Sequence, residues 1–210
     1  MKLRRRHAWL LGLTFVVMAA TEATARAPNI VVVLMDDMGW RDVGFMGNSF
    51  VETPHLDRLA KNGLVFTQAY ASAPNCAPTR ACLMSGQYTP RHGIYTVVDP
   101  RQPAGSPWHK LLAAHSESDL ATDVVTLPEA LRDSGYTSGF FGMWNLGRGR
   151  TGPVTPGGQG FDRVVFPETI GFGKDAYFDD AGKYLSDRLT DEVLSFMQEH
   201  RSRPFFVYLA

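Results

Sequence analysis

The stretch Asn29-Ile-Val-Val-Val-Leu-Met-Asp-Asp37 decides the fold class of this 210-residue chain. Its apolar run does not alternate with polar residues, which is typical of a strand buried on both faces of a parallel sheet. Two aspartates end the run, and three glycines follow within ten residues. A glycine-rich loop is therefore predicted to leave the carboxyl end of this strand, and it begins with Asp36 and Asp37.

Helical and strand patterns alternate along the rest of the chain. The predicted helices cover 53–63, 79–85, 127–132 and 184–199, and the further predicted strands cover 64–71, 137–143 and 204–210. Segments 100–109 and 148–160 are rich in proline and glycine and are predicted loops. This alternation predicts an α/β fold, with a mostly parallel central sheet flanked by helices. The chain stops inside an apolar strand, which we interpret as an incomplete domain.

The charge of the chain is balanced overall but concentrated at its start. Basic and acidic residues number 21 each, which gives no support for nucleic acid as the main partner. Residues 1–25 have the layout of a secretory signal peptide: a basic head at 2–6, an apolar run at 8–20, and Ala-Thr-Ala at 23–25. The apolar run is shorter than the roughly 20 residues that span a bilayer, so no stable membrane anchor is expected. We expect export to a periplasm or to the outside, or to a lysosome-like compartment in a eukaryote.

The paired carboxylates of Asp36 and Asp37 are candidate metal ligands. Ligands of open parallel sheets bind beyond the carboxyl ends of the strands. Adjacent carboxylates repel each other, and a hard cation such as Ca²⁺ or Mg²⁺ compensates that repulsion. Taken alone, the pair is explained more simply by a solvated loop or a helix N-cap.

A second candidate segment is Pro74-Asn-Cys76-Ala-Pro78-Thr-Arg80. Cys76 is predicted to lie just before a helix amino terminus, where amides and the helix dipole favour an anion. Arg80 lies one turn further on and is always charged. A nucleophile, a cation and a helix amino terminus together suit the transfer of a tetrahedral anionic group. The alternative is a disulfide between Cys76 and Cys82, although a spacing of six does not bring two helical residues together.

The pattern Cys76-x-Pro78-x-Arg80, continuing to Leu83 and Gly86, resembles the signature of the sulfatase family, which has an alkaline-phosphatase-like fold. Segments 29–37, 53–60 and 86–93 extend the resemblance in the family's order. It implies that residues 28–210 are the amino-terminal part of a sulfatase catalytic domain. It also implies a sulfuric ester hydrolase whose substrate is a sulfated small molecule or carbohydrate.

The resemblance assigns roles to the candidate residues. Cys76 would be oxidised to formylglycine by a formylglycine-generating or other sulfatase-maturing enzyme. Asp36, Asp37 and residue 76 would bind Ca²⁺, with Mg²⁺ as the alternative. Arg80 would steady the formylglycine hydrate that attacks the sulfur of the ester.

The segment Gly142-Met-Trp-Asn-Leu-Gly147 departs from the family pattern Gly-Lys-Trp-His-Leu-Gly. Met143 stands where a lysine usually holds the sulfate, and Asn145 stands where a histidine usually assists the hydrate. Methionine carries no charge, and asparagine does not titrate near neutral pH. We therefore expect the 210 residues alone to be poorly active or inactive.

Three alternatives stay open at this stage. The chain is a degenerate, non-catalytic binding protein of this fold, a phosphodiester or phosphonate monoester hydrolase of the same superfamily, or a truncated product without a stable fold. His92 is predicted to be structural, and Trp144 to serve packing.

Overall fold

The computed structural model describes residues 26–97, 110, 115–170, 177–179 and 181–210. The predicted signal peptide at 1–25 and the predicted loop at 100–109 lie outside the described residues. Four strands are described: β1 (Ile30–Val33), β2 (Thr137–Phe141), β3 (Arg163–Val165) and β4 (Phe205–Leu209). The α-helices are α1 (Pro54–Asn62), α2 (Cys76–Ser85), α3 (Thr89–His92), α4 (Leu127–Arg132) and α5 (Leu185–Glu199), and short 3-10 helices cover Gly44–Met46 and Pro167–Ile170.

The strands form one parallel sheet in the order β1-β4-β2-β3. The last strand of the chain therefore lies between β1 and β2, and Tyr208 pairs in register with Val32 on one side and Phe140 on the other. This arrangement confirms the predicted α/β fold and places the carboxyl ends of all four strands at one edge. The chain segments that follow β1 and β2 leave the sheet from that edge.

Each face of β4 packs against different helices because successive side chains point to opposite faces. Phe206 and Tyr208 join a core with residues of α2 and α4, whereas Phe205 and Val207 join a core with α5. Helix α5 contributes a buried stripe at helical spacing, namely Leu189, Val193 and Phe196. The sheet is thus covered by helices on both sides, as predicted.

The prediction that β1 is buried on both faces is wrong. β1 is an edge strand of the described sheet, and its side chains alternate: Val31 and Val33 are 46% and 51% exposed, whereas Ile30 and Val32 pack against the core. Valine runs favour extended backbone whether or not both faces are covered. The sequence pattern therefore predicted the strand but not its surroundings.

Two further predictions need correction. The segment 64–71 is irregular rather than a strand, and Leu64, Phe66 and Tyr70 are exposed. No strand among the described residues pairs with this segment. Conversely, the three-residue strand β3 was not predicted. Helix α2 begins at Cys76, three residues earlier than predicted.

Candidate active site

Helix α2 presents the candidate nucleophile in its first turn. Cys76 is the first helical residue, and Asn75 before it has extended backbone dihedrals (φ −144°, ψ 173°). The Asn75 side chain turns away from the helix and donates to the Thr96 hydroxyl at 3.0 Å. The side chain of residue 76 therefore lies beside the amides of a helix amino terminus, where an anion is favoured.

Arg80 is the buried cation of the site. It follows Cys76 by four residues, which places both on one face of α2. The side chain is only 1% exposed, and its Nη2 lies 3.3 Å from Oδ2 of Asp36 at the end of β1. Its Nη1 donates to the main-chain carbonyl of Met143 after β2. One guanidinium thus connects α2 to the ends of two strands.

Asn145 brings the segment after β2 against Cys76. Its backbone is left-handed (φ 58°), a conformation that asparagine tolerates better than most residues. Its amide Nδ2 lies 3.4 Å from Sγ of Cys76 and 3.2 Å from Sδ of Met143. Of the two residues that depart from the family pattern, Asn145 therefore contacts the candidate nucleophile, and Met143 contacts Asn145.

The path of this segment depends on Gly142. Its φ is 111°, and a Cβ built there would lie 1.8 Å from the main-chain oxygen of Ala210. A side chain at position 142 is therefore excluded by sterics as well as by the backbone conformation. The close approach allows Met143 to donate its amide to Ala210 at 3.0 Å, which directs the chain across the edge of the sheet.

Two buried polar atoms in this region have no hydrogen-bond partner among the described residues: Nε of Arg80 and the hydroxyl of Tyr208. Burial raises the pKa of Tyr208, and the positive charge of Arg80 offsets part of that rise. Tyr208 is fully buried in the core that α2 covers. Sequence reasoning missed this residue, because nothing in the apolar run 204–210 shows which side chain faces Arg80.

The two aspartates supply the oxygen ligands that a hard divalent cation prefers, but fewer of them than such a cation requires. Asp36 and Asp37 are exposed at the end of β1, and Asp37 has a left-handed backbone (φ 55°). Within the residues that the structure describes, no group of three or more histidine, cysteine, aspartate or glutamate side chains is placed to hold a metal ion. Calcium takes about six to eight oxygen ligands. The described residues therefore fit one part of such a site.

Cys82 lies outside this group and is not bonded to Cys76, since both thiols are free. The alternative of a disulfide between them is wrong for this structure. Sγ of Cys82 lies 3.3 Å from Nε2 of His92, whose Nδ1 accepts the amide of Ile94 at 3.1 Å. Burial lowers the pKa of His92. These contacts hold α2 to the residues around α3 and agree with the structural role predicted for His92.

Two cavities adjoin Asn145. One has a volume of about 410 Å³ and is lined by residues that include Met143, Asn145, Arg150, Phe166 and Pro167. The other, of about 170 Å³, is lined by residues that include Thr96, Asn145 and Arg148.

The packing prediction for Trp144 is confirmed, because the side chain is buried and donates its indole N–H to the main-chain carbonyl of Val154 at 2.9 Å.

The fold and the site define an α/β protein with a cysteine, a buried arginine and a carboxylate gathered at the carboxyl edge of a parallel sheet, a class suited to chemistry on anions. The chain belongs to the sulfatase family, because the family's model matches residues 28–210. It is 38% identical to human arylsulfatase A over 148 residues, which cover 70% of this chain and 27% of that protein. It is 34% identical to mouse N-acetylgalactosamine-6-sulfatase over 214 residues, which cover 87% of this chain and 39% of that protein.

Solved structures agree with the family. The structure of Ps i-CgsB in complex with k-i-k-neocarrahexaose is 27% identical and superimposes with a TM-score of 0.68, covering 87% of this chain and 44% of that one. A phosphonate monoester hydrolase of Agrobacterium radiobacter shares the fold, with a TM-score of 0.58, 20% identity, and coverage of 87% of this chain and 41% of that one. The chain thus spans less than half the length of these relatives.

Proposed function

We propose that this chain is the amino-terminal part of a sulfuric ester hydrolase that uses formylglycine made from Cys76 and a divalent cation, Ca²⁺ or Mg²⁺. The observation that carries the proposal is the convergence of Cys76, Arg80 and Asp36 at the carboxyl edge of the sheet. Family membership supports the reaction type. The oligosaccharide bound to one solved relative and the sulfated amino sugar in the mouse relative's name favour a sulfated carbohydrate as substrate.

Each side chain would contribute through the contacts described above. Residue 76, as a hydrated formylglycine, would supply the attacking hydroxyl. Asp36, Asp37 and residue 76 would hold a divalent cation, which would supply the Lewis acid that these side chains lack. Arg80 keeps a positive charge beside that position and is itself held by Asp36 and the Met143 carbonyl. The first-turn amides of α2 favour the negative charge of the sulfate.

The activity of these 210 residues alone should be weak. Met143 cannot balance the charge of a sulfate, and Asn145 can donate a hydrogen bond to residue 76 but cannot exchange a proton there. The loss of one such group commonly lowers rates by about a hundredfold. Two carboxylates also leave most calcium positions unfilled.

Export is part of the proposal, with a location in a periplasm, outside the cell or in a lysosome-like compartment, and a sulfatase-maturing enzyme as the partner that modifies Cys76. The signal-peptide pattern at 1–25 supports it. Among the described residues, no helix combines the length and apolar character needed to cross a membrane.

A comparison of esters tests the proposed reaction. The chain, matured by co-expression with a formylglycine-generating enzyme, would be assayed with 4-nitrophenyl sulfate, 4-nitrophenyl phosphate and a phosphonate monoester. We expect slow cleavage of the sulfate above a Cys76→Ala control, and about tenfold or greater acceleration when Met143→Lys and Asn145→His are combined. Faster cleavage of the phosphonate would favour the alternative superfamily activity. Cleavage of none of the esters, even by the double variant, would favour the non-catalytic alternative.

A further inference from the structure

The cavity of about 410 Å³ lies next to a residue that contacts the candidate nucleophile. Asn145 contacts Cys76 through its amide and lines this cavity, together with Met143. Phe166, just after β3, also lines the cavity. Ligand pockets of proteins have volumes of about 300–1,000 Å³, so the space suits one sugar unit. A substrate group attached to an ester at residue 76 would extend into it.

The walls of this cavity are mostly uncharged. Met143 presents a thioether, and Phe166 and Pro167 present apolar surface. Arg150, which is exposed on the loop 147–160, also lines the cavity. Among the described residues that line it, Arg150 is the one that carries a charge. A guanidinium binds an oxyanion through two parallel hydrogen bonds, and neighbouring apolar surface strengthens that attraction.

We propose that Arg150 is a specificity-determining residue that binds a second oxyanion of the substrate, a sulfate or carboxylate on the same sugar as the reacting ester or on the next one. The inference rests on the proposed function and deepens it, because it specifies a substrate that carries two anionic groups. Arg150 then supplies positive charge to this cavity, whereas Met143 contributes none.

Binding measurements test the inference without turnover. The full chain carrying Cys76→Ser would be titrated calorimetrically with glucosamine 6-sulfate and with glucosamine N,6-disulfate. We expect the disulfated sugar to bind about tenfold more tightly. Arg150→Met should reduce this ratio to about one to two, and Arg150→Lys should retain part of it because the charge remains. Arg150→Gln keeps the polarity of the loop and should behave like Arg150→Met.

Two arginines provide matched controls. Arg148 belongs to the same loop but lines the smaller cavity, and Arg203 lines a cavity at the amino edge of the sheet. Arg148→Met and Arg203→Met each remove one positive charge and should leave the ratio unchanged. Equal loss of the ratio in Arg148→Met, or an unchanged ratio in Arg150→Met, would overturn the inference.

The failure of this inference is distinguishable from failure of the proposed function. If both sugars bind equally to the parent chain, the second-anion site is refuted, whereas sulfate recognition at residue 76 stands. If neither sugar binds, the inference is refuted as well, and the ester assay on the matured chain then decides the proposed function separately. Thermal unfolding of each variant would show that altered binding is not caused by loss of the fold.

Discussion

Replacement of Arg80 by methionine tests the buried cation that connects the three parts of the site. The guanidinium bonds to Asp36 and to the main-chain carbonyl of Met143. A hydrogen bond with a charged partner contributes about 1.5–3 kcal/mol, and removal of one partner of a buried ion pair costs about 3–5 kcal/mol. The Asp36 side chain is 37% exposed and regains water when Arg80 is lost. We therefore expect Arg80→Met to lower the free energy of unfolding by roughly 2–4 kcal/mol.

A matched control separates the effect of burial on the stability of an ion pair from the effect of the distance between its charged atoms. Arg163 forms shorter ion pairs, at 3.1 Å to Glu192 and 3.0 Å to Glu199, but its side chain is 32% exposed. Solvent screens such pairs, so Arg163→Met should cost about 1 kcal/mol or less. Urea unfolding of both variants, followed by tryptophan fluorescence at one pH and salt concentration, measures the two losses. An equal or larger loss in Arg163→Met would refute the argument that burial determines the contribution of Arg80.

Two further predictions concern His92 and Asn145. Burial lowers the pKa of His92 below its ordinary 6.5, so the unfolded state binds this proton more readily than the folded state does. The contribution of His92 to the free energy of unfolding is therefore highest above pH 6.5 and decreases as the pH falls from 6.5 through the lower folded pKa. His92→Gln should flatten that decrease in urea unfolding between about pH 7.5 and 5, and equal slopes in the two proteins would contradict the assignment. Asn145→Ala and Asn145→Gly both remove the amide contacts, but alanine is strained at φ 58° whereas glycine is not. In the same urea assay, Asn145→Ala should therefore be less stable than Asn145→Gly by about 1 kcal/mol, and equal stability would mean that the backbone relaxes.

The sequence predicted those parts of the fold whose local pattern and tertiary surroundings agree. The apolar run 204–210 became a central strand, and the helical spacing at 184–199 became α5. The run 64–71 has a similar apolar content but stays irregular, because a strand requires a partner that the pattern cannot reveal. The strand β3 was missed for a related reason: it has three residues, begins with arginine and is defined by its pairing with β2.

For the candidate site, the sequence predicted the placement of those residues that lie at a helix terminus or at the end of a strand. Cys76 was expected at the amino terminus of a helix with Arg80 one turn further on, and Asp36 at the carboxyl end of a strand, and the structure places them so. The placement of Tyr208 near Arg80, and of Arg150 at the cavity that Asn145 lines, depends on contacts between segments more than 60 residues from Cys76 in the chain. Their proximity follows from packing and loop geometry, for which a single sequence carries no signal.

The mass of the peptide that contains Cys76 tests the central claim most directly. The chain would be expressed with and without a formylglycine-generating enzyme, digested, and compared with a control sulfatase matured in the same cells. Conversion of the thiol to an aldehyde lowers the residue mass by about 18 Da. The proposed function predicts that shift at Cys76 and none at Cys82. An unmodified Cys76, under conditions that convert the control, would contradict catalysis through formylglycine and favour a non-catalytic role for this sulfatase fold.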